Sequence, residues 1–129
     1  MTGRLWHLAL AREWAATVDG SGTRMSTLGR TLDEEGFTHC AHAHQVAGVA
    51  ARFYADVSEP LVLLEIDPIA LTSDVVEEVP PGGVDAFPHV YGPIDVGAVV
   101  TVHPLPRHGD GHLGLPAAVS GWGSSDPST

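Results

Sequence analysis

Pro60 opens the run Leu61-Val62-Leu63-Leu64-Glu65-Ile66, which Asp67-Pro68 closes. The run is almost continuously apolar and too short for an ordinary helix, so it is expected to be a central β-strand. A chain with such a strand at its centre must supply other strands to pair with it and further elements to cover it. The rest of the sequence is read for those partners.

Arg4 to Leu8 is a short apolar run and the expected first strand. A helix is expected over 9–18, where Leu10, Trp14 and Val18 recur at helical spacing. The turn formers Asp19-Gly20-Ser21-Gly22 stop it, a loop runs through Met25, and Ser26 is placed to cap a short helical turn ending before Gly36. Phe37 to Cys40 is β-prone and follows a glycine. From His42 to Tyr54 the residues Val46, Val49, Ala50 and Phe53 make one apolar stripe, which predicts a second helix. Val75 to Val79 is a further candidate strand, and Pro80-Pro81-Gly82-Gly83 a loop. Prolines bracket Phe87 to Pro93 and predict a rigid extended connection. Ala98 to Val102 is the expected last strand. The reading is one α+β domain over 1–105 and a flexible Gly/Pro/Ser-rich tail over 106–129.

A chain of 129 residues, 43% of them hydrophobic, can remove roughly two-thirds of its unfolded surface from water and needs no staple. Sixteen acidic residues stand against six arginines, for a formal net charge of -10. The arginines are scattered singly, so duplex nucleic acid is not an expected partner. Cys40 is the lone cysteine, the N-terminus lacks the pattern of a signal peptide, and no apolar stretch approaches the twenty or so residues that span a bilayer. A cytoplasmic location without membrane association is the expectation.

Eight histidines are the unusual feature. His7, His39 and His89 lie on short apolar or aromatic segments, where a neutral imidazole offers one donor and one acceptor in a fixed direction. That suits ribose hydroxyls, amides or a proton transfer; each could equally be a core histidine satisfied by a backbone carbonyl. The string His39-Cys40-Ala41-His42-Ala43-His44 invites a metal reading, but adjacent strand residues point to opposite faces and residues two apart on a helix share none. No dedicated metal site is expected, and Cys40 is read as a small core residue. Arg52 could meet an anionic ligand or pair with Asp56 four residues on. Glu65 faces either a cleft or solvent, and Trp6 and Trp14 are read as core.

Four segments together resemble the DUF952 family: Leu5-Trp6-His7-Leu8 with Trp14, Gly36 to Cys40, Leu61 to Pro68, and Phe87 to Pro93, a span of about residues 4–104. Ala41 stands where that family usually has serine. In motif order the family is similar to the RNA 2′-phosphotransferases of the ADP-ribosyltransferase-like superfamily. The resemblance implies a split mixed β-sheet with two main helices and an NAD-binding cleft. It implies His7 as the first-motif histidine that holds the ribose, His39 in the second motif, and Val90-Tyr91 in the third. Nothing between Pro88 and Gly92 matches the third-motif glutamate of mono-ADP-ribosyltransferases. The implied function is ADP-ribosyl transfer or NAD glycohydrolysis, with His7 and His39 catalytic, Thr38, Arg52, His89, Val90 and Tyr91 binding the substrate, and NAD the substrate itself. The alternative is a non-catalytic small-ligand or protein-binding module on the same fold.

Overall fold

A computed structural model of the chain describes residues 3–20, 24–107 and 113–120. In chain order the elements are β1 (Leu5–Leu10), α1 (Ala11–Asp19), β2 (Met25–Thr27), β3 (Arg30–Thr31), α2 (Leu32–Glu35), β4 (Thr38–His39), α3 (Ala43–Phe53), β5 (Leu61–Ile66), β6 (Val75–Glu78), β7 (Phe87–Val90), β8 (Val99–Leu105) and α4 (Ala117–Ser120). The class is α+β, with α1 and α3 the main helices.

β5 is the middle strand of the principal sheet, in the order β1-β5-β8, and its near-continuous apolar run follows from burial on both faces. Leu61 and Leu63 join Trp6, Leu8, Leu10 and Leu105 on one face, where Val46 and Ala50 of α3 cover them. Val62, Leu64 and Ile66 join Leu5, Cys40, Val90 and Ala98 on the other, where Trp14 of α1 packs. Each fully buried leucine or isoleucine there contributes about 1.5–3 kcal/mol relative to exposure.

A second sheet has the order β4-β7-β6, and β2 and β3 form a small hairpin. Every strand pair among the described residues is antiparallel, where a mixed sheet was expected. β6 and β7 show why: they are joined directly by the loop over 79–86 and have no helical crossover, which parallel neighbours need. The two sheets meet where the Trp6 amide donates to the Ala41 carbonyl at 2.9 Å and the Ala41 amide donates back at 2.8 Å.

Local departures from the sequence reading have local causes. β1 continues to Leu10, because Leu8 and Leu10 pair with Leu63 and Leu61; α1 therefore begins at Ala11 and not Ala9. Ser26 caps no helix: it lies in β2, and its hydroxyl donates to the Phe37 carbonyl at 2.5 Å. Thr31 is the cap, in a reciprocal capping box with Glu34, and Gly36 ends α2 at a φ of 86° that favours glycine. The segment after Phe87 is extended as expected, yet it is the central strand of the second sheet and not a mere connection.

Part of the expected tail is packed. The Arg107 guanidinium donates to the carbonyls of Tyr54, Ala55 and Val57, Arg107 bridges to Leu113, and Val119 of α4 is fully buried in the cluster beneath α3. Residues 108–112 and 121–129 of that segment lie outside the described residues. No helix among the described residues is long and apolar enough to cross a membrane.

Candidate functional site

The two-residue period of a strand decides which side chains of the second sheet meet the core. Thr38, Pro88 and Val90 are fully buried on its inner side, and Cys40 follows them. The alternate positions, Phe37, His39, His89 and Tyr91, therefore gather on the opposite side. His39 pairs in register with His89, and their rings sit 5.3 Å apart between centroids in an edge-on arrangement at 66°. Phe37 stacks on His89 at 4.0 Å and tilts against His39 at 4.7 Å and Tyr91 at 5.4 Å. Aromatic pairs in such offset geometry contribute about 0.5–1.5 kcal/mol each beyond burial, so the four rings hold one another in place.

Each imidazole is braced by a carboxylate. His39 Nε2 donates to Glu35 Oε1 at 3.1 Å, and Glu35 is also held by Arg30 at 2.9 Å. His89 Nδ1 donates to Glu78 Oε1 at 2.8 Å, and the Tyr91 hydroxyl donates to the same oxygen at 2.5 Å. The Tyr91 hydroxyl, and after it His89, hold the Glu78 carboxyl below its ordinary pKa, while that hydrogen bond raises the Tyr91 phenol. The braces also settle the free ring atoms. His39 is left with Nδ1 and His89 with Nε2 as the ring nitrogen not bonded to its carboxylate.

A cleft of about 660 Å³ opens beside this face. His39, His89, Glu35 and Trp6 line one part of it, the loop from Pro80 to Asp85 another, and Arg52 and Phe53 of α3 a third. The Arg52 guanidinium lies over the Phe53 ring at 5.3 Å and does not pair with Asp56. Among the described residues the Trp6 indole N–H is the one buried side-chain polar atom without a hydrogen-bond partner.

The residues singled out from the sequence separate into three groups. His39, His89 and Arg52 share the cleft; Tyr91 packs on Phe37 on the histidine face and does not line it. Thr38 and Val90 turn inward: the Thr38 hydroxyl donates to the Gly92 carbonyl at 2.8 Å, and Val90 is core. His7 lies on the opposite face of the principal sheet from Trp6 and lines a different hollow, of about 240 Å³. Its Nδ1 donates to the His39 carbonyl at 2.6 Å, and burial pushes its pKa below the ordinary value against the opposing pull of that bond. Thus His7 and His39 are joined through the backbone of β4 and face separate spaces.

The sequence reading missed Glu35, Glu78, Phe37 and Arg30. Phe37 and Glu35 were within reach of it, at two and four residues before His39. Glu78 had no such signal, because the pairing of β6 with β7 alone sets it beside His89. The rings of His42 and His44, expected to share no face, stack in parallel at 6.0 Å, with His42 Nε2 donating to Glu77 at 2.8 Å; His42 is the N-cap, with extended backbone outside the helical period that the expectation assumed. No group of three or more His, Cys, Asp or Glu side chains among the described residues is arranged to hold a metal ion. Burial pushes the Cys40 thiol up to about 12, so it stays protonated and is a poor nucleophile. Glu65 lies half-buried on the Trp6 side, accepting from His103 at 3.0 Å and meeting Arg4 at 3.4 Å.

This architecture is that of a small α+β protein with one braced histidine face. The profile of the family described as protein of unknown function (DUF952) matches residues 9–102, and the chain belongs to that family. The crystal structure of protein CC0527 from Caulobacter crescentus is 27% identical, with a TM-score of 0.67 over 85% of this chain and 92% of that one. The solution NMR structure of CC0527 is 26% identical, with a TM-score of 0.68 over 87% of this chain and 91% of that one. No curated protein gives a significant match.

Proposed function

We propose that this chain handles NAD or a related nucleotide at the histidine face, by NAD glycohydrolysis or ADP-ribosyl transfer on an ADP-ribosyltransferase-like fold. The observation that carries the reading is the pair His39 and His89, side by side at a cleft and each braced by its own carboxylate. A volume of about 660 Å³ suits an occupant of nucleotide size. The unpartnered Trp6 indole would find an acceptor in it, and Arg52 would meet a pyrophosphate with a planar fork of donors. The net charge of -10 opposes an anionic nucleotide at long range, but salt screens such repulsion beyond about 8–10 Å, and Arg30 and Arg52 are local. A cytoplasmic setting fits the lone, unpaired Cys40.

In this reading the bond from the ribose to nicotinamide breaks with its electron pair passing to the pyridine nitrogen, leaving an oxocarbenium-like ribosyl cation. Water or an acceptor hydroxyl then attacks that carbon. His89 takes the proton at Nε2, because Glu78 holds the other proton at Nδ1. Glu78 thereby supplies, from β6, the carboxylate that the third motif lacks. His39 offers Nδ1 to a ribose hydroxyl. His7 acts indirectly by fixing the carbonyl of His39, and is a positioning residue here, not a ribose contact.

Calorimetric titration with NAD and ADP-ribose, together with chromatographic assay of released nicotinamide, tests the proposal. Saturable binding is expected, with turnover lost in His89→Ala and His39→Ala; heat indistinguishable from dilution for both ligands would remove it. The separation of His7 from the cleft favours a second reading, a non-catalytic binding module. Saturable ADP-ribose binding with no release of nicotinamide decides for that module.

A further inference from the structure

We infer that the smaller hollow, beneath α1, is a second ligand site that takes a small free α-amino acid. It lies against the opposite face of the principal sheet from the cleft, lined there by His7 and Leu64 where the cleft is lined by Trp6 and Leu63. The inference is therefore independent of the nucleotide reading. A volume of about 240 Å³ falls below the usual range for drug-sized ligands and limits the occupant to a small molecule.

The polar side chains on its wall are Arg24, Glu13, His7 and Thr17, and the Thr17 hydroxyl already donates to the Glu13 carbonyl at 2.9 Å. Arg24 is an exposed guanidinium with no ion pair among the described residues, although Arg4, Arg12 and Arg30 all have carboxylate partners. In a chain with 16 acidic residues and only 6 arginines, such an unused cation at a hollow selects a carboxylate, which it can bind through two parallel bonds. Glu13, on α1, brings a partly buried carboxylate to the same wall. His7 is buried, and the His39 carbonyl occupies its Nδ1, which leaves Nε2 as an acceptor on the cavity wall. An ammonium group has three donors and satisfies Glu13 and Nε2 together. Trp14, Leu64 and Ile94 leave an apolar surface for a short side chain.

A ligand with a single charge would neutralise Arg24 and face Glu13 unshielded, or the reverse. A zwitterion compensates both and stays neutral overall, which is the condition for entering a half-buried space at low cost.

The test is calorimetric titration of the whole chain with alanine, valine and leucine, with leucine methyl ester lacking the carboxylate, and with N-acetyl-leucine lacking the ammonium. At least one free amino acid is expected to bind saturably, and both blocked forms at least tenfold more weakly. Arg24→Gln, at an exposed position, should abolish binding with an unchanged unfolding temperature. Glu13→Gln should weaken binding tenfold or more. Absence of binding by all three amino acids, equal binding of either blocked form, or unaltered binding in Arg24→Gln overturns the inference, whatever NAD does at the cleft.

Discussion

The neutral state of buried His7 has a thermodynamic consequence that can be measured directly. Burial lowers its folded pKa from 6.5, the ordinary value that the unfolded chain recovers. Between the two values the unfolded chain holds a proton that the folded chain lacks, so stability rises with pH. The contribution of neutral His7 is fully present above about pH 6.5 and is lost as pH falls through 6.5 toward the folded value. One proton changes stability by at most about 1.4 kcal/mol per pH unit, and by no more than about 1 kcal/mol between pH 6.5 and 5.5, where the unfolded histidine is still filling. His7→Asn keeps a donor near the His39 carbonyl but cannot titrate. Urea unfolding of both proteins at pH 7.5, 6.5 and 5.5 isolates the effect, because the other histidines titrate in both and cancel in the difference. The wild-type advantage over His7→Asn should shrink as pH falls from 6.5 to 5.5, by at most about 1 kcal/mol. Parallel pH profiles would refute the reasoning, since His7 would then bind protons equally in the folded and unfolded chain.

Three further predictions follow from the packing and the braces. Val119→Ala should lower stability by about 2 kcal/mol in urea unfolding, since it removes two methyl groups from a fully buried site; a change below about 0.5 kcal/mol would mean that α4 is not docked on the core. Thr38→Val should cost about 1 kcal/mol, because it strips the half-buried Gly92 carbonyl of its donor, and ADP-ribose affinity should remain that of the wild type since Thr38 faces away from the cleft. Tyr91→Phe removes the largest influence holding the Glu78 carboxyl down, so Glu78 protonates at higher pH. The acid limb of the nicotinamide-release profile should move to higher pH, and an unmoved limb would detach Glu78 from the reaction.

How much was legible in the sequence varies with the range of the interaction. β5 was readable because a strand buried on both faces needs apolar residues at every position, a requirement written within six consecutive residues. α3 was readable because its buried stripe repeats at helical spacing from Val46 to Ala50. β1 was cut short at Leu8 because Leu10 fits a helical and a strand period equally well, and only its pairing with Leu61 decides. Ser26 was a plausible cap, yet the Thr31–Glu34 box stood in the sequence and outranked it. Val119 lies in a stretch with no periodicity at all, so its burial beneath α3 left no local trace.

The candidate site divides in the same way. Residue types and local spacing singled out His7, His39 and His89, because imidazoles on short apolar segments are unusual wherever the chain goes, while Tyr91 came from the family resemblance alone. Their grouping was a matter of strand pairing. The register of β4 against β7 puts His39 beside His89, that of β6 against β7 delivers Glu78, and the two faces of the principal sheet send His7 to another hollow. Periodicity along a chain records which side of an element is buried, whereas the neighbours met across that side depend on pairing between segments tens of residues apart. A one-residue slip of β7 would turn His89 into the core and Val90 outward while leaving every local pattern in the sequence as it is.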